Sequence, residues 1–393
     1  MSKDSEFKTL DISGYSSHSK KPKHVTFSKP VEIGAFSIDG QRKFCNNLSQ
    51  MSYVEDTSRW CKNMDLNDGY KDRFVKRDEN VKERLDNLLR WVVSNLHRFK
   101  NGNTTKESKS SSLAALPDFI LWRGHMTKIM CTPYEYQEGW EMAAQKLGST
   151  IYISEVETLQ AEKRRSNSTD REKLMTYWGV RFEKYMTRPD PPHNRNEAKC
   201  PRLVPIDQSK IVVNTNEAYC TVMNVQLNSH KIIHSAEVDC CQNPSEGLTP
   251  PDNYIELKTS REFSTQKHED NFHRYKTKKW WAQSFLAGVP QITCGFRDDN
   301  GVIVSIRHFK TLDLPRMARQ VPHGAWDANV CLDFLNNFFD FVKNVYSGVQ
   351  EDEKCVFLFS WRAKEDKVIC TRYNLPTKHE FLPEWYKISL SYL

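Results

Sequence analysis

The chain has 393 residues, enough to bury a substantial core in one large domain or two. Charged residues make up 27% and hydrophobic ones 38%, no apolar run approaches a membrane span, and no hydrophobic signal segment opens the sequence, so neither a membrane nor a secreted protein is expected. The net charge of +7 favours a polyanionic partner.

Eleven cysteines, an odd number, are scattered without a C-x-x-C pair. Several lie in apolar runs, such as Cys294, Cys331 and Cys370. This pattern reads as reduced, intracellular, buried thiols rather than a disulfide framework or a zinc site.

Residues 1–30 are Ser/Lys-rich with few large apolar side chains, and are expected to be disordered. Ordered structure is expected from Val31, in the stretch that contains Arg42. Val81, Leu85, Leu88, Leu89, Val92 and Leu96 repeat at helical spacing, predicting a helix from about Asp78, its N-cap, to His97. Glu83 lies off that stripe and reads as a solvated charge. Residues 101–112 form a polar, flexible insertion.

Phe119 to Trp122 reads as a buried strand ending at Arg123-Gly124. An arginine there can fork onto a phosphate or hold a structural ion pair, and the residues leave both open. Glu135 to Leu147 reads as a helix closed by Gly148, and Thr150 to Val156 as a strand. Thr169 to about Met186 is a helix opened by the capping box Thr169-x-x-Glu172. Within it Gly179 costs close to 1 kcal/mol relative to alanine, which implies a close approach to the backbone. Glu183, one turn on, reads equally as an exposed glutamate.

From Lys210 the period becomes two. IVVNT, AYCTVMNVQL, KIIHSAEVDC and YIELKTS read as successive strands of an antiparallel meander. Asp270 to Ala287 is a helix in which Arg274, Lys276, Lys278 and Lys279 lie beside Trp280 and Trp281, with Gln283 polar in its apolar last turn. Two strands then flank Asn300-Gly301, a hairpin signal. A helix from Val330 to Tyr346 and a final strand pair close the chain, giving one mixed α/β domain.

Chemistry concentrates between His230 and Ser260. Residues two apart share a face of a strand, so Glu237 pairs with Asp239, and Glu256 with Lys258. Three carboxylates on one patch of sheet would bind a hard divalent cation, and the lysine could neutralise a scissile phosphate. This Asp…Glu-x-Lys order suits phosphodiester cleavage, although the same spacing also occurs on solvated strands.

WRGHMTKIMCTPYE, WGVRFEKYM, NTNEAYC, EVDC with GLTPPDNYIELKTS, KWWAQSFLAGVP and GFRDDNG together resemble the DXO family. These are the metazoan decapping and exoribonuclease proteins, related to the fungal partners of the nuclear 5′–3′ exonuclease. The resemblance runs from about Val31 to the C-terminal FLPEWY, and implies a single catalytic domain over residues 31–393. It implies a mixed α/β (α+β) fold of two packed β-sheets with surrounding helices, related to the restriction-nuclease-like superfamily. The implied activity is metal-dependent removal of incomplete caps, NAD and similar caps and 5′-triphosphate ends, followed by 5′–3′ degradation of RNA.

By the same resemblance, Glu183, Glu237, Asp239, Glu256 and the Leu257 carbonyl hold two divalent cations, Mg²⁺ or Mn²⁺. Lys258 and Gln283 flank the scissile phosphate. Trp122, Arg123 and Gly124 carry the phosphate-contacting arginine, and Arg42, Glu83 and Cys220 match further substrate contacts. The expected partners are RNA 5′ ends, with no membrane. A monomer is expected, and a protein partner is compatible with the sequence but not indicated by it. The basic tail and the resemblance point to the nucleus, with the cytoplasm as a second compartment. The alternatives are a protein that binds RNA 5′ ends and activates a partner nuclease without cutting, and a DNA nuclease of the same fold.

Overall fold

Apolar strands that are buried on both faces need a layer on each side, and the observed architecture supplies one. The computed structural model describes residues 6–16, 21–55, 64–99, 117–189, 207–243, 246–322, 324–350 and 353–391. A 10-stranded sheet and a 6-stranded sheet dominate it. On one face of the larger sheet, Leu88, Leu89 and Trp91 of the helix Asp86–Ser94 pack with Tyr386 against Phe36, Ile120 and Ile233. The opposite face takes the long helix Ala328–Ser347 together with Arg123–Cys131 and Thr277–Leu286. Phe182 and Trp178 of the helix Asp170–Met186 cover Ile255 and Leu257 of the smaller sheet.

The expected meander is only half present. Ala218–Leu227 and His230–Glu237 do pair antiparallel in the larger sheet. The chain then leaves that sheet through Val238 and Asp239, and Cys240–Cys241 and Tyr254–Arg261 belong to the smaller one. Tyr254–Arg261 runs parallel to Gln291–Arg297, which continues through the Asn300-Gly301 turn into Ile303–Lys310. Gly301 has φ +88°, and an added Cβ would lie 2.6 Å from the Trp178 ring, so glycine is required there twice over.

Four expectations are corrected. Residues 1–30 are not uniformly without structure, because Glu6–Asp11 forms an edge strand on Lys367–Asn374 and Tyr15 is buried against Phe334. The first long helix begins at Asp86 rather than Asp78: Arg84 adopts φ +47°, which interrupts helical backbone, and Val81 is exposed. The expected helix Glu135–Leu147 is instead the strand Trp140–Leu147, paired with Thr150–Val156 and Cys355–Trp361. Gly148, at φ +60°, supplies the hairpin turn and not a helix cap. Finally, a Cβ on Gly179 would meet nothing within 4 Å, so no close approach explains that glycine. The insertion at 101–112 lies outside the described residues.

The capping box at Thr169 and Glu172 is present in both directions. The helix near the C-terminal side of the site starts earlier than Asp270, at Gln266, and passes through a π-helical turn, Phe272–Lys276, before Thr277–Leu286. Nine cysteines are described as free thiols, all but Cys45 buried. No helix among the described residues is long and apolar enough to cross a membrane.

Candidate active site at the junction of the two sheets

The acidic residues meet where the chain changes sheets. Glu237 ends its strand in the larger sheet, Asp239 lies in the crossover, and Glu256 projects from the first half of Tyr254–Arg261. The pleat puts Glu256 and Lys258 on one face, and the Lys258 ammonium donates to Glu256 Oε1 at 2.5 Å. The Leu257 amide donates to Asp239 Oδ2 at 2.6 Å and thereby ties the crossover to the strand. Glu183 comes from the last turns of Asp170–Met186.

Burial dominates the electrostatics. It raises the Glu183 pKa well above the ordinary glutamate value, with Asp239 and Glu237 adding repulsion. Asp239 is pushed up to about 7 by burial and then by Glu256. Glu237 is raised by burial, against the opposing pull of Arg123 and Arg42. Glu256 behaves differently: burial acts to raise it, but Lys258 and Arg123 together hold it below its usual value. The group is therefore short of positive charge, and one member has taken the nearest lysine.

Four hard oxygen donors short of countercharge suit a divalent cation, whose binding would draw these carboxyls into the ionised form. They are not preassembled as a cage: no three acid, His or Cys side chains among the described residues close on a common point. The expected convergence on a single patch of sheet is thus corrected to a looser grouping from two sheets and a helix.

Arg123 opens its helix directly after the strand Phe119–Trp122 and is only 8% exposed. Its Nη2 donates to the Glu237 carbonyl at 3.2 Å, while Nη1 lies 3.9 Å from Glu256 Oε1 and has no hydrogen-bond partner in the protein. A buried donor of this kind is costly unless a ligand completes it. Beside it, a Cβ on Gly124 would meet nothing within 4 Å, so the space next to the guanidinium stays open.

Arg123 and Gly124 line a cavity of about 330 Å³ together with Trp122, Cys220, Glu237 and Gln283. Arg42 and Glu83 stand in its wall, joined by a fork in which Nε and Nη2 meet the two carboxylate oxygens at 2.8 and 2.5 Å. Glu83 is thus a structural and cavity-facing group, not a solvated charge. Cys220 sits opposite Glu237 in the strand register, and burial raises its thiol well above the ordinary value. The sequence reading passed over Arg77, Arg84 and Asn87, which also line this cavity. Arg77 Nη2 lies 3.3 Å from Glu83 Oε2 and Asn87 donates to the same oxygen at 3.1 Å. No local signal marked them: Asn87, two residues from both Leu85 and Leu89, lies off the apolar stripe of its helix.

Comparison with known proteins agrees with this layout. Residues 28–387 match the family model described as RAI1 like PD-(D/E)XK nuclease. The chain is 37% identical over 362 residues to the decapping and exoribonuclease protein of Bos taurus, covering 92% of this chain and 85% of that one. Among solved structures, Candida albicans Rai1 in complex with pU5-Mn²⁺ superposes with TM-score 0.79 at 21% identity, covering 98% of this chain and 99% of that one. Scheffersomyces stipitis Rai1 in complex with (3′-NADP)⁺ and calcium ion gives TM-score 0.79 at 22% identity, covering 98% and 100%. At these identities the two structures speak for the fold, a mixed α/β nuclease fold of two main sheets with helices. With the family model spanning most of the chain, this protein belongs to the RAI1-like PD-(D/E)XK nuclease family, the family of the decapping and exoribonuclease proteins.

Proposed function

We propose that this enzyme hydrolyses the 5′ ends of RNA, removing unmethylated and NAD caps and 5′-triphosphate ends, and then degrades the exposed strand 5′ to 3′. The observation that carries this reading is the charge-deficient acidic group, with Glu256 buried, beside a buried arginine with a spare donor. The name of the bovine relative and the nucleotides bound by the two fungal proteins support the choice of substrate.

Two divalent cations, Mg²⁺ or Mn²⁺, held by Glu183, Glu237, Asp239, Glu256 and the Leu257 carbonyl, would supply an activated water and charge neutralisation at the leaving oxygen. The protein's own groups position the phosphate. Arg123 donates its free Nη1 to a phosphate oxygen, Gly124 leaves room for the approach, and Lys258 and Gln283 flank the bond that breaks. Trp122 and Cys220 shape the pocket around the terminal nucleotide, whose far wall is the Arg42–Glu83 pair. The protein acts as a monomer in the nucleus, with a cytoplasmic pool, in this reading.

The test is a panel of 5′-labelled RNAs carrying monophosphate, triphosphate, unmethylated cap, methylated cap or NAD, with and without Mg²⁺ or Mn²⁺, the products separated by chromatography. Release of an intact cap dinucleotide and of mononucleotides is expected only with the cation. Binding without any cation-dependent product would replace this reading with a non-cleaving 5′-end binder, and equal cleavage of matched DNA would replace the RNA specificity.

A further inference from the structure

A second cavity, about 740 Å³ in volume, adjoins the one described above. Arg77, Glu83, Arg84 and Thr215 line both, so the two lie on either side of a shared wall. That wall is the segment 76–84, which has no helix or strand of its own. Its position is nevertheless set. The Trp122 indole donates to the Arg84 carbonyl at 2.7 Å, and the Arg84 guanidinium bonds to the Glu380 carbonyl. Glu83 and Arg84 line both cavities, while Val81 and Lys82 line the outer one alone.

The outer groove carries more cationic than acidic side chains, and Lys76 and Arg77 pair with Glu79 and Glu83. Lys76, Lys82, Lys128 and Lys378 line it with the two shared arginines, against the carboxylates Glu79, Glu83, Glu155 and Glu157. Lys82 and Lys128 pair with Glu157 and Glu155 at half-exposed positions, where such pairs are weak and a phosphate can replace the carboxylate. Apolar surface lies between them: Val81 is 56% exposed, and Phe74 and Val156 line the floor. Cations that track a backbone, with apolar surface for the bases, are what sequence-independent single-strand binding requires.

We propose that this outer groove holds the single-stranded RNA immediately downstream of the nucleotide in the catalytic cavity, with Lys82 and Lys378 as its phosphate contacts. The inference rests on the reading of the site as an RNA 5′-end hydrolase. It adds a footprint: several nucleotides beyond the cleaved bond are gripped around the 76–84 wall, so affinity grows with strand length until the groove is filled.

The experiment measures binding of 5′-phosphorylated dinucleotide, tetranucleotide and decanucleotide RNAs by full-length protein in EDTA, where no cleavage interferes. Wild-type affinity is expected to rise from dinucleotide to decanucleotide. The double variant Lys82→Ala, Lys378→Ala is expected to lose roughly tenfold for the decanucleotide and less than about twofold for the dinucleotide. Its salt slope should fall by about 1.4, two contacts at roughly 0.7 each for a single strand. The variant Lys82→Arg, Lys378→Arg should retain the slope, and Lys354→Ala, an exposed lysine outside the groove, should change neither quantity. Equal affinity and slope in wild type and double variant overturns the groove, as does an equal loss for dinucleotide and decanucleotide or no length dependence in the wild type. Cleavage by the wild type with Mg²⁺ is scored separately, so a protein that cuts without length dependence loses only the groove. One that shows the footprint without cutting loses only the hydrolase reading.

Discussion

The wall of the cavity beside Arg123 and the acidic group at the sheet junction handle charge in opposite ways. In the wall, Glu83 accepts from both arms of Arg42, from Asn87 and from the neighbourhood of Arg77, so its pKa is held below the usual value although burial acts to raise it. In the acidic group, Glu183, Glu237 and Asp239 are pushed up by desolvation and by neighbouring carboxylates, and Lys258 serves Glu256 first. A charge that the protein completes for itself builds geometry. One that the protein leaves incomplete stores a demand for a ligand, and stability is given up to keep that demand.

The sharpest way to break this contrast is to neutralise a member of the acidic group. Asp239→Asn should reduce cation-dependent hydrolysis by about 10²–10⁴-fold, the scale of a lost catalytic group. The same substitution should stabilise the cation-free protein by on the order of 1 kcal/mol, because it removes one repelling carboxylate and leaves an oxygen for the Leu257 amide. Unaltered turnover together with a lower Tm would place Asp239 among the structural groups.

Acid should test the packing beneath both regions. His125 is held down to about 4 and His234 to about 3, both mainly by burial, with Arg123 adding to the depression of His234. Their folded pKa values lie below the unfolded value of 6.5, so the unfolded chain binds more protons between the two. The histidines' contribution to stability is therefore complete above about pH 6.5 and is lost as pH falls towards 4, at up to roughly 1.4 kcal/mol per pH unit for each histidine, while the raised carboxyl of Asp239 acts with the opposite sign. Urea denaturation across that range, compared between wild type and a histidine variant, separates the two. A His234→Gln variant, which keeps a polar group near the Leu286 carbonyl, should flatten the slope.

Arg42→Ala addresses the wall. It leaves Glu83, whose side chain is 20% exposed, with only Asn87 and the more distant Arg77, and should cost about 1–3 kcal/mol. Arg42→Lys keeps the charge but not the fork, so an intermediate loss is expected. A null effect of both on Tm would mean that the wall is held by the backbone alone, for instance by Arg42 at φ +63°.

How far the sequence carried each region follows from the same physics. The strands around Glu237 and Glu256 were legible because their alternation is local, and the capping box at Thr169 because its two bonds span three residues. Trp140–Leu147 was not, because Glu, Met, Ala, Gln and Lys are helix formers that lie in a strand only through pairing with Thr150–Val156 and Cys355–Trp361. Arg77 and the Arg42–Glu83 fork span 41 residues or join loops without periodicity, so nothing local marks them.

By itself, then, the sequence determined which side chains are chemically competent. Glu256 and Lys258 share a face because a strand alternates, and the ordered motifs from Trp122-Arg123-Gly124 to the hairpin at Asn300-Gly301 identified the family. Tertiary structure alone decided that the chain crosses from one sheet to the other between Glu237 and Cys240. That crossover sets carboxylates from two sheets near the one on the helix Asp170–Met186, close enough for their charges to act on one another. Desolvation there, a property of the whole fold and not of any segment, raises Glu183, Glu237 and Asp239 and leaves the group short of positive charge.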